Sequence, residues 1–198
     1  MTPAEITAKP TLIPAGYLAK SVSFPPGYLG TGTPTHLADI YSLSSCVNDD
    51  FADYVNFWKH NGYWLFDRPE IIQTLAQENQ IDLTGSLLFY YEVYGLEFDG
   101  KLWRAYDPSG SSETNVAAPR QKQLEGFDVV TFFAGSTPEC SPLACNNLAE
   151  KIPTNSHCLL ENLQEAKSQL ENGAFADGEP GPYRIFAVYT VGWSQDAA

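Results

Sequence analysis

The stretch LLFYYEVYGLEF, residues 87–98, is followed directly by Asp99-Gly100. Its content of Phe, Tyr, Val and Leu is typical of a β-strand that is largely buried. Asp-Gly is a preferred dipeptide in tight hairpin turns, which require a positive φ. Leu102, Trp103 and Tyr106 continue the apolar pattern beyond the turn. The sequence therefore predicts a β-hairpin here, and this is its clearest indication of the fold.

Further elements follow from hydrophobic periodicity. Apolar residues at helical spacing predict helices over residues 51–58, 69–79 and about 160–170. Asn162 and Glu165 have the spacing of a capping box at the start of the third helix. Runs that are apolar on both faces predict buried strands over residues 127–133 and 183–193, the second of them central in the sheet. Shorter strands are predicted within residues 36–46 and 63–66.

These elements are mixed without regular alternation, which predicts an α+β fold. We expect one domain with an antiparallel or mixed sheet of about five strands and three helices, spanning residues 36–198. Residues 1–35 are rich in Pro and Gly and are expected to form an irregular arm packed on the domain. No internal repeat is evident in the sequence.

The charge balance is strongly negative. The chain has 11 Lys and Arg against 24 Asp and Glu, a formal net charge of -13. Proteins that bind nucleic acids or anionic membranes need clustered positive charge, which this sequence lacks, so we expect neither partner. A surplus of carboxylates favours solubility or a basic protein partner. The oligomeric state is left open.

The cysteines bear on the compartment and on metal binding. The first 30 residues lack the apolar core of a signal peptide, and no stretch reaches the roughly 20 apolar residues of a membrane helix, so a cytoplasmic location is expected. In that compartment Cys46, Cys140, Cys145 and Cys158 are expected as thiols or metal ligands rather than disulfides.

Residues 140–158 contain the candidate metal site. Cys140, Cys145, His157 and Cys158 supply the four ligands that zinc requires, and zinc is the one cofactor that the sequence brings into question. Sequence neighbours such as His157 and Cys158 usually point apart, which weighs against this set. Cys140 beside a turn, with His157 as its base, is a thiol-enzyme alternative, although acidic surroundings raise a thiol pKa. Buried, unreactive thiols are the preferred interpretation.

Two other segments carry side chains that suit a site. Trp58, His60 and Trp64 lie in a run that alternates aromatic and polar residues, as in many binding surfaces, although core packing also explains it. Glu92 lies among tyrosines, where a carboxyl pKa rises toward general-acid use, but strand alternation can place it on a solvent face, and that interpretation is preferred. Residues 179–186, EPGPYRIF, form a distinctive run without an assigned activity.

The sequence lacks several catalytic signatures. It contains no phosphate-binding glycine loop, no Gly-x-Ser-x-Gly elbow, no His-Glu-x-x-His and no calcium loop. The expected function is therefore that of a non-enzymatic acidic binding protein, for example an inhibitor or immunity-type partner of a basic protein. A small thiol- or zinc-dependent enzyme that uses the segment Cys140–Cys158 is the alternative.

Overall fold

The structure, a computed structural model, describes residues 11–22, 36–44, 61–106, 115–132 and 138–193. These residues form five strands, three α-helices and one 3-10 turn. In chain order the elements are β1 (Leu12–Ser21), α1 (Pro69–Asn79), β2 (Ser86–Phe98), β3 (Trp103–Ala105), β4 (Gln123–Thr131), α2 (Pro142–Cys145), the 3-10 turn (Leu148–Glu150), α3 (Leu163–Glu171) and β5 (Tyr183–Val191).

All strand pairings in this sheet are antiparallel. The strand order is β1-β2-β5-β4, and β3 pairs with the end of β2. The predicted α+β class, with five strands and three helices, is confirmed. β5 lies between β2 and β4, which explains why its residues are apolar on both faces. Both faces of the sheet are covered, because the neighbours Tyr90 and Tyr91 point to opposite faces and both are fully buried.

Local signals place several elements as predicted. The β2–β3 hairpin turns at Asp99-Gly100, where Gly100 has a φ of +93°. The Asp99 carboxylate accepts the backbone N–H groups of Lys101 and Leu102, which closes the turn. At the start of α3, the Asn162 side chain accepts the Glu165 backbone N–H at 2.9 Å, so the predicted cap is present.

Other sequence predictions need correction. Residues 12–21, inside the arm expected to be irregular, form β1 instead. Pro14 is compatible with this strand because the pairing with β2 shifts register between Pro14 and Gly16, where a ladder donor is not required. Residues 36–44 form no regular strand, and Phe66 makes a single bridge to Tyr17. The helix predicted over 51–58 lies outside the described residues.

A glycine and an asparagine form a compact edge motif on β1. Gly16 lies at the bulge with a φ of +138°. The Asn61 side chain donates to the Ala15 carbonyl at 2.8 Å and accepts the N–H groups of Tyr63 and Leu65 at 2.9 and 3.2 Å. A Cβ at position 16 would lie 2.6 Å from the Leu65 Cβ. The close approach therefore requires glycine.

The same motif recurs on β4. Gly126 lies at a bulge with a φ of +150°. The Asn155 side chain donates to the Glu125 carbonyl at 2.7 Å and accepts the N–H groups of His157 and Leu159 at 2.9 and 3.1 Å. A Cβ at position 126 would lie 2.7 Å from the Leu159 Cβ. The two edges of the sheet are thus built in the same way.

The strand register extends this likeness to the whole sheet. Gly16 pairs with Tyr91, Gly126 pairs with Val188, and Tyr91 and Val188 pair with each other. An approximate twofold axis through the Tyr91–Val188 pair therefore exchanges β1 with β4 and β2 with β5. α1 and α3 begin at equivalent distances after the two motif asparagines. The chain contains two structurally related halves, contrary to the expectation from its sequence.

Within the described ranges, no helix combines the length and the apolar character that are needed to span a membrane.

Candidate functional site

The four candidate metal ligands do not converge on one point. His157 contacts the Asp39 carboxylate through Nδ1 and stacks on Tyr41, with ring centroids 4.0 Å apart. The Cys145 Sγ lies 3.5 Å from the Ser44 hydroxyl oxygen. Cys140 is buried, and Cys158 points into the core. Among the residues that the structure describes, no three His, Cys, Asp or Glu side chains are arranged to hold a metal ion; Cys46 lies outside them.

The Cys158 thiol is in poor surroundings for a nucleophile. Its pKa is raised far above the usual value, first by burial and then by the negative charge of Asp128 and the neighbouring Cys145. A nucleophilic cysteine must be a thiolate at working pH. Cys158 therefore remains a protonated, buried thiol.

A buried carboxylate organises the polar interior. Asp128 is fully buried and accepts hydrogen bonds from the hydroxyls of Ser42 and Ser141, at 2.8 and 2.6 Å. It also accepts the Leu43 backbone N–H at 3.0 Å. Lys20, 2% exposed, donates to the Ser42 carbonyl and supplies a nearby positive charge. These contacts connect β1, β4, the start of α2 and residues 42–44.

This network is sealed from solvent, which indicates a structural role. Burial raises the Asp128 pKa, and the hydrogen bonds from Ser141, Leu43 and Ser42 oppose that shift. The neighbouring Tyr91 hydroxyl is buried and finds no hydrogen-bond partner among the described residues. Its pKa lies well above the ordinary value because of burial and the Asp128 charge, so the hydroxyl stays protonated.

Glu92 is not on a solvent face, although alternation favoured that interpretation. Its side chain is 13% exposed and pairs with Lys122. It accepts the Tyr189 hydroxyl at 2.8 Å and the Tyr90 hydroxyl at 3.3 Å. Burial, followed by the interactions with Glu92, raises the pKa of both tyrosines. Glu92 is thus held by Lys122 and two tyrosine hydroxyls, which fix its carboxylate on this face of the sheet.

Arg184 forms the most unusual site in the described chain. It is 4% exposed, and its Nε donates to the Glu97 carboxylate at 3.1 Å. Its Cζ lies 3.3 Å from the ring centroid of Tyr106 and 3.8 Å from that of Phe132. Nη1 is buried and has no hydrogen-bond partner among the described residues. We call Arg184, Glu97, Tyr106 and Phe132 the Arg184 slot.

One of the predicted binding segments approaches this slot. Trp58 and His60 lie outside the described residues. Trp64 is half-buried against the core with a φ of +60°, which is rare for a bulky residue. Its neighbour Tyr63 is buried, with its ring centroid 5.9 Å from that of Tyr106. Within the described part of this run, Tyr63 therefore lies beside the slot residue Tyr106.

The sequence contained a signal for two of the three buried charges in the described chain, Asp128 and Arg184. Asp128 and Arg184 each interrupt a strand whose other buried residues are mostly apolar. A charged residue in such a run is seldom fully buried unless it is paired. Arg184 also belongs to the EPGPYRIF run at residues 179–186. Its aromatic and acidic partners come from distant parts of the chain, so local sequence pattern could not predict them.

Comparisons with known proteins leave function to be inferred from this chain itself. The chain matches no protein-family model, no curated protein and no solved structure.

Proposed function

We propose that this protein is a non-enzymatic acidic binding protein that engages a basic protein partner. The supporting observation concerns exposed charged side chains that have no ion-pair partner within the described residues. Among these, carboxylates outnumber cations. In the described chain, the exposed carboxylates of this kind are Glu70, Glu78, Asp82, Glu150, Glu161, Glu171 and Glu179. The corresponding cations are Arg68, Lys101 and Arg120. Such a surface attracts cationic partners and repels nucleic acids.

Part of this charge is concentrated at one place, the acidic edge formed by Glu150, Asp177 and Glu179. Lys151 contacts the Asp177 carboxylate at 3.0 Å, and the Glu179 backbone N–H donates to the Asn146 side chain at 2.8 Å. These contacts hold the loop at residues 177–179 against the segment that contains Glu150. Lys151 is exposed and neutralises one carboxylate of three, so the edge keeps a net negative charge.

A salt titration tests this proposal. Partners are first captured by cross-linking from a native extract, and each affinity is then measured from about 0.05 M to about 0.3 M NaCl. Because exposed charges are screened over this range, we expect affinity to fall at least about tenfold. The variant E150Q/D177N/E179Q should bind more weakly than the control variant E70Q/E78Q/D82N. Affinity that is independent of salt would contradict an electrostatic partner.

The alternative, a thiol- or zinc-dependent enzyme built on residues 140–158, has weaker support because its candidate nucleophile Cys140 is buried and its candidate base His157 contacts Asp39. We expect native protein to purify without stoichiometric zinc, and the buried Cys140 and Cys158 to react with a thiol reagent only on unfolding. Elemental analysis and mass-spectrometric mapping of labelled thiols measure both. Bound zinc, or rapid labelling of native Cys140, would favour the enzyme.

A further inference from the structure

We propose that the Arg184 slot binds a small organic carboxylate. The slot is built from β5, the end of β2, Tyr106 beyond β3 and Phe132 after β4, and it is separate from the exposed carboxylates of the proposed function. The inference therefore stands or falls independently of a basic protein partner.

The first observation is a donor without an acceptor. Nη1 of Arg184 is buried and makes no hydrogen bond within the described chain. Buried polar groups are almost always paired, and an unpaired charged donor carries a large desolvation penalty. The surrounding side chains leave this donor unsatisfied, so an acceptor from outside the chain would complete the site.

The shape of the slot restricts that acceptor. The Tyr106 and Phe132 rings cover the guanidinium group, with centroids 3.3 and 3.8 Å from Cζ. Glu97 accepts from Nε, and Nη1 is the buried donor left without a partner, so an incoming acceptor would approach Nη1 in the guanidinium plane. A planar carboxylate can lie in this plane and place an oxygen on Nη1. A tetrahedral phosphate would direct oxygens out of the plane, toward the faces that the two rings cover.

The charge balance favours an anion over a neutral acceptor. Burial lowers the Arg184 pKa, so its surroundings stabilise the cation less well than water does. Glu97 offers one contact, and its own side chain is 21% exposed. A further carboxylate would restore the electrostatic stabilisation that the guanidinium cation loses on burial.

Access is expected past Tyr106. Phe132 is 1% exposed and forms the inner wall, whereas Tyr106 is half-buried and forms the outer one. The Tyr106 hydroxyl donates to the Gly62 carbonyl at 3.3 Å, which is long for an O–H donor. A ligand is therefore expected to reach the guanidinium group from the Tyr106 side of the slot.

A titration followed through the arginine side chains tests the proposal. In the full chain labelled with ¹⁵N-arginine, the Arg184 Nε–H resonance is recorded at constant pH and ionic strength. We expect saturable shifts with sodium acetate in the millimolar range, and none with sodium chloride, acetamide or sodium phosphate. Saturation by acetamide or phosphate, or no saturation by acetate, would overturn the carboxylate assignment.

Two variants locate the effect. Arg184→Lys removes the planar guanidinium group and should abolish saturable acetate binding, as measured by calorimetry. The control Arg104→Lys, at an exposed arginine, should leave acetate binding unchanged. Glu97→Gln removes a competing negative charge and should strengthen acetate binding several-fold, which keeps the test valid if Arg184→Lys fails to fold. Unchanged binding in Glu97→Gln, or loss of binding in Arg104→Lys, would contradict the site.

Discussion

At the scale of single residues, Asp128 shows how a charge is retained in the interior. It has three hydrogen-bond donors and a nearby lysine, yet burial still raises its pKa. Removal of the carboxylate by Asp128→Ala would leave the hydroxyls of Ser42 and Ser141 and the Leu43 N–H without an acceptor. Unfolding measurements should show a loss of about 3 kcal/mol or more.

The pH dependence of Asp128→Asn follows from the direction of that shift. Because the native pKa lies above the unfolded value of about 3.9, the native state binds the Asp128 proton more tightly. The contribution of Asp128 to stability is therefore greatest at low pH and falls as pH rises through the native pKa. We expect the cost of Asp128→Asn, from urea unfolding, to be smaller at about pH 8 than at about pH 4.

Asp82 provides a control because its pKa is shifted in the opposite direction to that of Asp128. Hydrogen bonds from Thr84 lower its pKa, so its contribution is present above the unfolded pKa and is lost in acid. The cost of Asp82→Asn should therefore grow with pH. A cost of Asp128→Asn that also grows with pH would mean that Lys20 and the hydrogen bonds outweigh burial.

At the scale of elements, local sequence pattern predicted most of the strands, turns and helix ends that depend on neighbouring residues. Alternation, periodicity and the turn at Asp99-Gly100 gave the strands, and the Asn162 cap gave the start of α3. β1 was missed because proline weighs against a strand, while the bulge beside Pro14 depends on pairing with β2. The asparagine motifs were missed because each joins residues far apart in sequence.

The glycines of these motifs can be tested by substitution. Gly126→Ala combines a φ of +150° with a Cβ 2.7 Å from Leu159, and should cost about 3 kcal/mol or more in unfolding free energy. Gly16→Ala should cost a similar amount. Gly100→Ala, with a φ of +93° but no atom within 4 Å of the added Cβ, should cost about 1 kcal/mol. Equal losses at positions 100 and 126 would rule out the close contact as the cause.

At the scale of the whole molecule, unbalanced surface charge opposes folding. The net charge is -13, and exposed carboxylates without ion pairs outnumber the corresponding cations in the described chain. Raising NaCl from about 0.01 M to about 0.15 M shortens the screening length from about 30 to about 8 Å. The melting temperature should therefore rise over this range. In the double variant Glu78→Gln/Glu161→Gln, the melting temperature should rise by a smaller amount. A melting temperature that falls with salt would contradict net repulsion.

The twofold relation between β1–β2 and β4–β5 has a consequence for the origin of the molecule. It is the arrangement that duplication of a half-chain would produce if two copies had paired through the strands that became β2 and β5. Leu18 occupies the position equivalent to Asp128, and Leu87 the position equivalent to Arg184. Lys20 is buried in the first half and its equivalent in the second half is the apolar Val130, so each half carries buried charge where the other is apolar.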